Sequence, residues 1–316
     1  MQSVKLTGEK TMKKVIITGA NGFIGTALCR ELSQQGADVI AVVRNNEEDI
    51  SAISDIPNIK IVYCDLSGFK DLGKYIPDRS IDAVYHLAWV GTAGPLRGDA
   101  DVQMNNIQYT CDTVKACAAL ECKRFIFASS IMEYEIGALM ETDEKPGINT
   151  LYSSAKLAAD YMARTIANSL GIAYIKAVIS NVYGPGERSP RLINSSIRKL
   201  LAGDHCAFSP GEQIYDFVYI TDAAKAFTAI GEKGIANKAY YIGSLSPRPL
   251  KDFLCEMRDQ VDPGIEIGLG EIPYNGISLT YNEFDIYAVR NDTAFTPLVS
   301  FAEGIKNTID WIKGES

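Results

Sequence analysis

An α/β fold built on a doubly wound parallel sheet, with a smaller C-terminal lobe, is what the sequence predicts. Three observations carry it. Short β-branched runs alternate with amphipathic helical patterns through the first 180 residues, and alternation at that spacing gives right-handed βαβ units. The strand runs are apolar almost throughout, as in sheets covered by helices on both faces. After Asn181 the pattern loosens, punctuated by Gly184, Pro185, Gly186, Pro190, Pro210 and Gly211.

Taken in order, the strands are predicted at Val15–Thr18, Asp38–Val43, Ile59–Tyr63, Ile81–Leu87, Arg124–Ser129 and Ala173–Ile179. Gly25–Gln35, Val102–Leu120 and Ser153–Leu170 read as helices between them. Further on, Arg191–Ala202, Thr221–Ile230, Lys251–Val261 and Phe301–Lys313 read as helices, and Asp216–Ile220 and Ala239–Gly243 as strands. Residues 262–300, rich in Gly, Pro, Tyr and Asn, read as irregular. These elements divide the chain into a sheet unit over 12–180 with returning segments near 212–243, and a smaller lobe from 181–211 and 244–316.

Composition narrows the function classes. The 316 residues are 47% hydrophobic and 22% charged, which is globular rather than disordered. Lys plus Arg number 31 against 39 acids, a net charge of −8, which disfavours nucleic acid or an anionic membrane as a partner. No run approaches the ~18 apolar residues of a bilayer span. The polar opening MQSVKLTGEKT lacks the apolar core of a signal peptide. Seven scattered cysteines fit free buried thiols in a reducing compartment, so a cytoplasmic protein is expected, its ordered part starting near Met12. With only His86 and His205, a histidine-rich metal site is excluded and no metal is expected.

The strongest motif is Val15-Ile-Ile-Thr-Gly-Ala-Asn-Gly-Phe-Ile-Gly25, a strand running through a glycine turn into a helix. Gly19 permits the tight turn, Gly22 lets backbone approach a pyrophosphate, and Gly25 lets helix and strand pack closely. Asn21, Phe23 and Ile24 complete the loop, and the helix start offers free N–H groups to an anion. The next strand ends at Val43 and Arg44, with no acid there to bind the adenosine ribose hydroxyls. An arginine at that place pairs with a 2′-phosphate, which favours NADP, with NAD as the alternative. Asp65 and Leu66, after the third strand, are expected near the adenine.

Tyr152-Ser-Ser-Ala-Lys156 opens a predicted helix, so the phenol and amine share one face about 6 Å apart along the axis. A phenol of pKa ~10 is a poor acid–base near neutrality; a neighbouring ammonium lowers it. Ser130 ends a predicted strand at the carboxyl edge of the sheet, where such folds bind ligands, placed to hold the oxygen that Tyr152 protonates.

With these residues, and with His86-Leu-Ala-Trp89, Asn106, Asn181-Val-Tyr-Gly-Pro-Gly186 and Asp216-Phe-Val-Tyr-Ile-Thr-Asp222, the chain resembles the extended short-chain dehydrogenase/reductases of the nucleotide-sugar epimerase/dehydratase group from about Lys13 onward. The resemblance implies a Rossmann domain, a small substrate lobe, a nucleotide-sugar substrate and a homodimer. It makes Ser130, Tyr152 and Lys156 the catalytic set, with Lys156 also at the nicotinamide ribose, and places Leu87 and Ala88 beside the cofactor. Asn181 matches its asparagine near the substrate.

Three chemistries share this scaffold. Dehydratases of the group carry an Asp-Glu pair just after the hydroxyl residue; Ile131-Met132 stand there instead, which disfavours elimination of water. Epimerases usually hold NAD, and the strand-end acid is missing. The sequence therefore points to NADPH-dependent reduction of the C4 ketone of a nucleoside-diphosphate 4-keto-6-deoxyhexose. Trp89, where the family usually has alanine, is similar to the CDP-abequose synthase type of 4-ketoreductases and is expected against the sugar. Among Arg188, Arg191, Arg198 and Lys199, Arg191 and then Arg188 are expected on the diphosphate. Tyr215 replaces an arginine that grips it in relatives, and Arg290 is a candidate substitute. His86 is read as structural. The alternatives are a nucleotide-sugar 4-epimerase, a reductase of another small carbonyl compound, and a non-catalytic NADP-binding redox sensor, which would tend to lose Tyr152 and Lys156.

Overall fold

The computed structural model describes residues 12–143 and 145–315. The expectation about where order begins concerns residues 1–11, which lie outside them. Six strands follow in chain order: β1 (Lys14–Thr18), β2 (Asp38–Val43), β3 (Ile59–Tyr63), β4 (Ala83–His86), β5 (Arg124–Ser130) and β6 (Ala173–Ile179). With Ala239–Ile242 they form a seven-stranded sheet, in the order Ala239–Ile242, β6, β5, β4, β1, β2, β3. Every pairing in it is parallel, including Thr18 opposite His86 across β1 and β4. The chain direction of winding reverses between β1 and β4. That switch opens a crevice at the carboxyl ends of the strands.

Alternate residues of each strand enter opposite cores. Val15 and Ile17 of β1, with Val39 and Ala41 of β2, pack under Leu28, Leu32, Ala223 and Phe227. Ile16, Ile40, Val84, Phe125 and Phe127 pack on the other face against Val114, Cys117, Ala159 and Ala163. The helices supplying those faces are Phe23–Gln34 and Ile220–Lys233 on one side, and Ala100–Ala119 and Thr150–Ser169 on the other. All seven cysteines are free thiols, and all but Cys255 are buried. No helix of the described residues is long and apolar enough to cross a membrane.

The remaining chain is built from short pieces. Phe217–Tyr219 pairs in parallel with Asn181–Tyr183, two residues shorter than the predicted Asp216–Ile220. Residues 262–300, read as irregular, contain Gly268–Leu269 paired with Ala207–Phe208 and a short helix Ala288–Thr293. Arg248–Pro249 pairs with Ile214–Tyr215. Bridges of two residues have no period to read; tertiary contact alone makes them. Predicted Ile81–Leu87 shortens to Ala83–His86. Asp82 leaves the ladder to accept the backbone N–H groups of Lys13 and Lys14 at 2.9 and 3.2 Å.

Two motif acids have structural duties. Asp216 is fully buried and accepts from Tyr241 Oη at 2.9 Å, from the Ser244 amide and from the Ser244 hydroxyl, tying the end of Ala239–Ile242 to the next strand. Asp222 accepts the amides of Leu298 and Val299 at 2.9 and 2.8 Å, fixing the approach to the closing helix Phe301–Gly314.

Candidate active site

The crevice is a cleft of ≈ 670 Å³. Its floor is the glycine turn. Gly19 has φ +69°, and a Cβ there would stand 2.9 Å from the Ala88 amide nitrogen and 3.2 Å from the Leu87 carbonyl carbon. The turn therefore presses on the end of β4 with no room for a side chain. A Cβ on Gly25 would drive into the carbonyl oxygen of Gly19, so helix Phe23–Gln34 begins directly under the turn. Gly22 caps that helix with no side-chain hydrogen bond, and first-turn N–H groups have no intrahelical acceptors. Close-packed backbone plus free donors fits a pyrophosphate. Gly19, Asn21, Gly22, Phe23, Ile24 and Gly25 all line the cleft, as do Leu87 and Ala88.

At the adenosine end, Arg44 lines the cleft but is not alone. Its Nε pairs with Glu48 Oε1 at 3.1 Å, and Asn21 Nδ2 reaches Glu48 Oε2 at 3.5 Å. The strand end itself carries no acid, but the loop returns one to it, four residues on. Leu66 lines the cleft; Asp65 does not. The Asp65 carboxylate instead accepts from the Ser67 amide and hydroxyl at 2.9 and 2.6 Å, which holds it below the usual carboxylate range.

At the other end stand Ser130, Tyr152 and Lys156, all lining the cleft. Ser130 closes β5, its Oγ accepting from the Met132 amide at 3.2 Å. Tyr152 and Lys156 lie in the first two turns of Thr150–Ser169, which starts two residues before Tyr152. Lys156 Nζ donates to the Ala128 carbonyl at 2.8 Å and sits 3.7 Å from the centre of the Trp89 ring. Burial pushes this ammonium down to about 7. The same ammonium is 5.9 Å from the centre of the Tyr152 ring. The tyrosine is buried and its phenol is pushed up by that burial; Arg97, Ser130 and Arg191 are what pull it back.

On the substrate side, Trp89 lines the cleft and meets Tyr152 edge-on at 6.1 Å. Arg191 lines it as well, its Nε 3.2 Å from Glu187 Oε2. Arg188 does not. It is exposed and bound to Glu315 at 2.9 Å, so the cation nearest the turn in sequence is turned to the closing helix. Asn181 is also outside the lining; its side chain donates to the Asp216 carbonyl at 3.1 Å. Arg290 lies over Tyr287 on Ala288–Thr293, away from the cleft. Asn106 is buried and bonds both backbone groups of Val90, at 3.0 and 2.8 Å. His86 is buried between Thr18 Oγ1 at 2.9 Å and Thr110 Oγ1 at 3.1 Å, with burial pushing its imidazole down to about 3. It is a structural residue.

Sequence reasoning missed three charged groups here: Glu48, Arg97 and Glu133. Arg97 Cζ lies 4.3 Å from the Tyr152 ring centre. Glu133 accepts from Ser129 Oγ at 2.7 Å and pairs with Lys176, which also reaches Asp160 at 3.0 Å. The only signal for Glu133 was a lone lysine inside the otherwise apolar β6.

The model of the NAD dependent epimerase/dehydratase family matches residues 15–243. The chain belongs to that family, and is a nicotinamide-dinucleotide-dependent enzyme of the extended short-chain dehydrogenase/reductase type. A dTDP-glucose 4,6-dehydratase of Neisseria gonorrhoeae is 25% identical, over 95% of each chain. Among solved structures, the Bordetella bronchiseptica enzyme WbmF in complex with NADH superimposes with a TM-score of 0.76 at 20% identity, covering 96% of this chain and 93% of that one. UDP-N-acetylglucosamine 4-epimerase from Methanobrevibacter ruminantium superimposes with a TM-score of 0.77 at 21% identity, covering 97% and 100%.

Proposed function

We propose that the protein reduces the C4 ketone of a nucleoside-diphosphate 4-keto-6-deoxyhexose with NADPH. The observation that carries this reading is a complete Ser130–Tyr152–Lys156 set on the cleft without the extra acid and base of dehydration. Ile131 packs with Val178, Tyr241 and Phe284, and Met132 against them. The carboxylates that follow are committed elsewhere: Glu133 to Lys176 and Ser129, and Glu135 to Ser153 Oγ at 2.8 Å.

The Gly19–Gly25 turn would hold the dinucleotide's pyrophosphate, and Arg44 the 2′-phosphate. The dinucleotide supplies hydride. Tyr152 gives its proton to the oxygen that becomes the hydroxyl. Ser130 holds that oxygen, and Lys156 orients the nicotinamide ribose. Arg191 takes the substrate diphosphate, and Trp89 packs on the deoxygenated sugar face, the feature behind the CDP-abequose synthase likeness. In this reading residues 12–180 and 212–243 bind the dinucleotide, and 181–211 with 244–316 close over the sugar. A cytoplasmic homodimer is part of the proposal. Orientation and charge stabilisation at one oxygen carry most of the acceleration.

A second reading, 4-epimerisation with a retained dinucleotide, is supported by Glu48, whose carboxylate beside Arg44 suits the ribose hydroxyls of NAD. One experiment separates the two. CDP-, dTDP-, GDP- and UDP-linked 4-keto sugars are supplied with NADPH or NADH and absorbance at the reduced nicotinamide band is followed, while the corresponding 4-hydroxy nucleotide sugars are supplied in parallel without added cofactor and their C4 epimers separated by chromatography. Stoichiometric NADPH consumption supports the reductase. Interconversion of two sugars at constant cofactor redox state overturns it, and equal use of NADH removes the argument from Arg44. Tyr152→Phe is expected to lower turnover by about 10²–10⁴-fold with cofactor affinity nearly unchanged.

A further inference from the structure

The two cations near Tyr152 are placed differently. The guanidinium of Arg97 lies 4.3 Å from the centre of the phenol ring, whereas Lys156 Nζ is 5.9 Å away. Lys156 is engaged elsewhere, by the Ala128 carbonyl and the Trp89 indole. We propose that Arg97 is a positioning residue for the proton transfer: seated against Tyr152, it adds to Lys156 a second, fixed positive charge that stabilises the phenolate left when the proton departs. This rests on the reading of Tyr152 as the proton donor.

The seat is built. Arg97 belongs to the turn Pro95–Gly98, and its Nη1 donates to the Thr92 carbonyl at 3.3 Å. Gln103, itself buried, donates from Nε2 to the Leu96 carbonyl at 2.9 Å and accepts from Trp89 Nε1 at 3.0 Å. One amide side chain therefore sets both the indole over Lys156 and the loop that carries Arg97. Gly98 closes the far side, since a Cβ there would stand 2.7 Å from Ile148 Cγ1.

Physical chemistry gives the direction. A ring that gains negative charge attracts a cation on its face more strongly, so a seated guanidinium favours the ionised phenol. Arginine keeps its charge throughout the working range, while a buried lysine readily loses its own; burial here brings Lys156 down to about 7. The other groups facing Tyr152 are the Ser130 hydroxyl, Arg191, already paired with Glu187, and Glu133, paired with Lys176. Glu135, from the helix after β5, sits near enough to feel Arg97 and opposes it. Arg97 is foremost among the charges that draw the phenol down.

The test uses the full chain with 3,5-difluorotyrosine installed in place of Tyr152, a phenol acidic enough to titrate where the fold is intact. Its ¹⁹F resonance is followed from pH 5 to 10, a range chosen as roughly that of native stability, alone and combined with Arg97→Met, Arg97→Gln or Arg97→Lys. Both neutral variants are expected to raise the midpoint by about one pH unit, and lysine to return it at least half-way. Midpoints unchanged in both neutral variants, or a lysine variant no different from methionine, overturn the proposal. The readout needs neither cofactor nor substrate. Should Tyr152→Phe retain full turnover, the proton-donor reading fails while the titration still reports the field at position 152. An unmoved midpoint with an inactive Tyr152→Phe removes Arg97 alone.

Discussion

Lys156 and Lys176 are both buried, one on the helix that carries Tyr152 and the other packed against it, and they are held in opposite ways. Lys176 is surrounded by Glu133 and Asp160, and its ammonium is raised above the ordinary value by them despite burial. Lys156 has no carboxylate in contact, only a carbonyl and an indole, and burial brings it down to about 7. Desolvation acts on both; only compensation differs. A compensated ion is a strut, whereas an uncompensated one is cheap to deprotonate and available to a ligand's oxygens. Lys176 ties β6 through Asp160 to the helix carrying Tyr152 and through Glu133 to the turn after β5, so the strut holds the elements that flank Lys156.

Substitutions at the two positions should therefore diverge. The largest effect on folding is expected at Lys176. Lys176→Met leaves buried Glu133 without a cation and takes the nearer of two from Asp160, and should lower stability by about 3–5 kcal/mol, measured by urea unfolding. A loss under 1 kcal/mol would mean that the network is not a strut. Lys156→Met should do the reverse, lowering turnover by at least about 10²-fold while stabilising the fold. The sign follows from its depressed pKa. Between about pH 7 and 10.5 the unfolded chain carries a proton on this amine that the folded chain does not. Stability is thus lost as pH falls through that window, and the deficit stays constant below it. The variant's gain should be full at about pH 7 and below, on the order of a few kcal/mol at most, and vanish above pH 10.5. A gain independent of pH would point to packing instead.

His86 extends the comparison as a third buried base, which like Lys156 has no carboxylate against it. Its imidazole is neutral down to about 3, against 6.5 for the free group. Stability should fall as pH drops from about 6.5 towards 3, by up to about 1.4 kcal/mol per pH unit. His86→Gln should flatten that slope in acid unfolding curves. The smallest effect is expected from Trp89→Leu. By letting water reach Lys156 it should raise the amine towards its ordinary value, seen as a shift of the Nζ titration by heteronuclear NMR, with little change in stability.

Much of this molecule is legible in the primary structure because its physics is local. A glycine turn between a strand and a helix needs only a dozen consecutive residues, and Gly19–Gly25 form it as expected. The paired Tyr152 and Lys156 follow from helical spacing, and Ser130 from the end of an apolar strand. The six main strands of the sheet stand out as short β-branched apolar runs, and the long helices obey a period of 3.6 that a reader can count.

Tertiary structure decided which charges face one another. Glu48 reaches Arg44 because a loop doubles back, Arg188 is lost to Glu315 more than a hundred residues away, and Arg97 meets Tyr152 through the hold of Gln103 on its loop. Such pairings join segments with no common period. The free energy of a buried or half-buried charge depends on every group within a few ångströms of it, whatever its place in the chain. Residue type and spacing therefore name the candidate acid and amine, while the field around them comes from the fold.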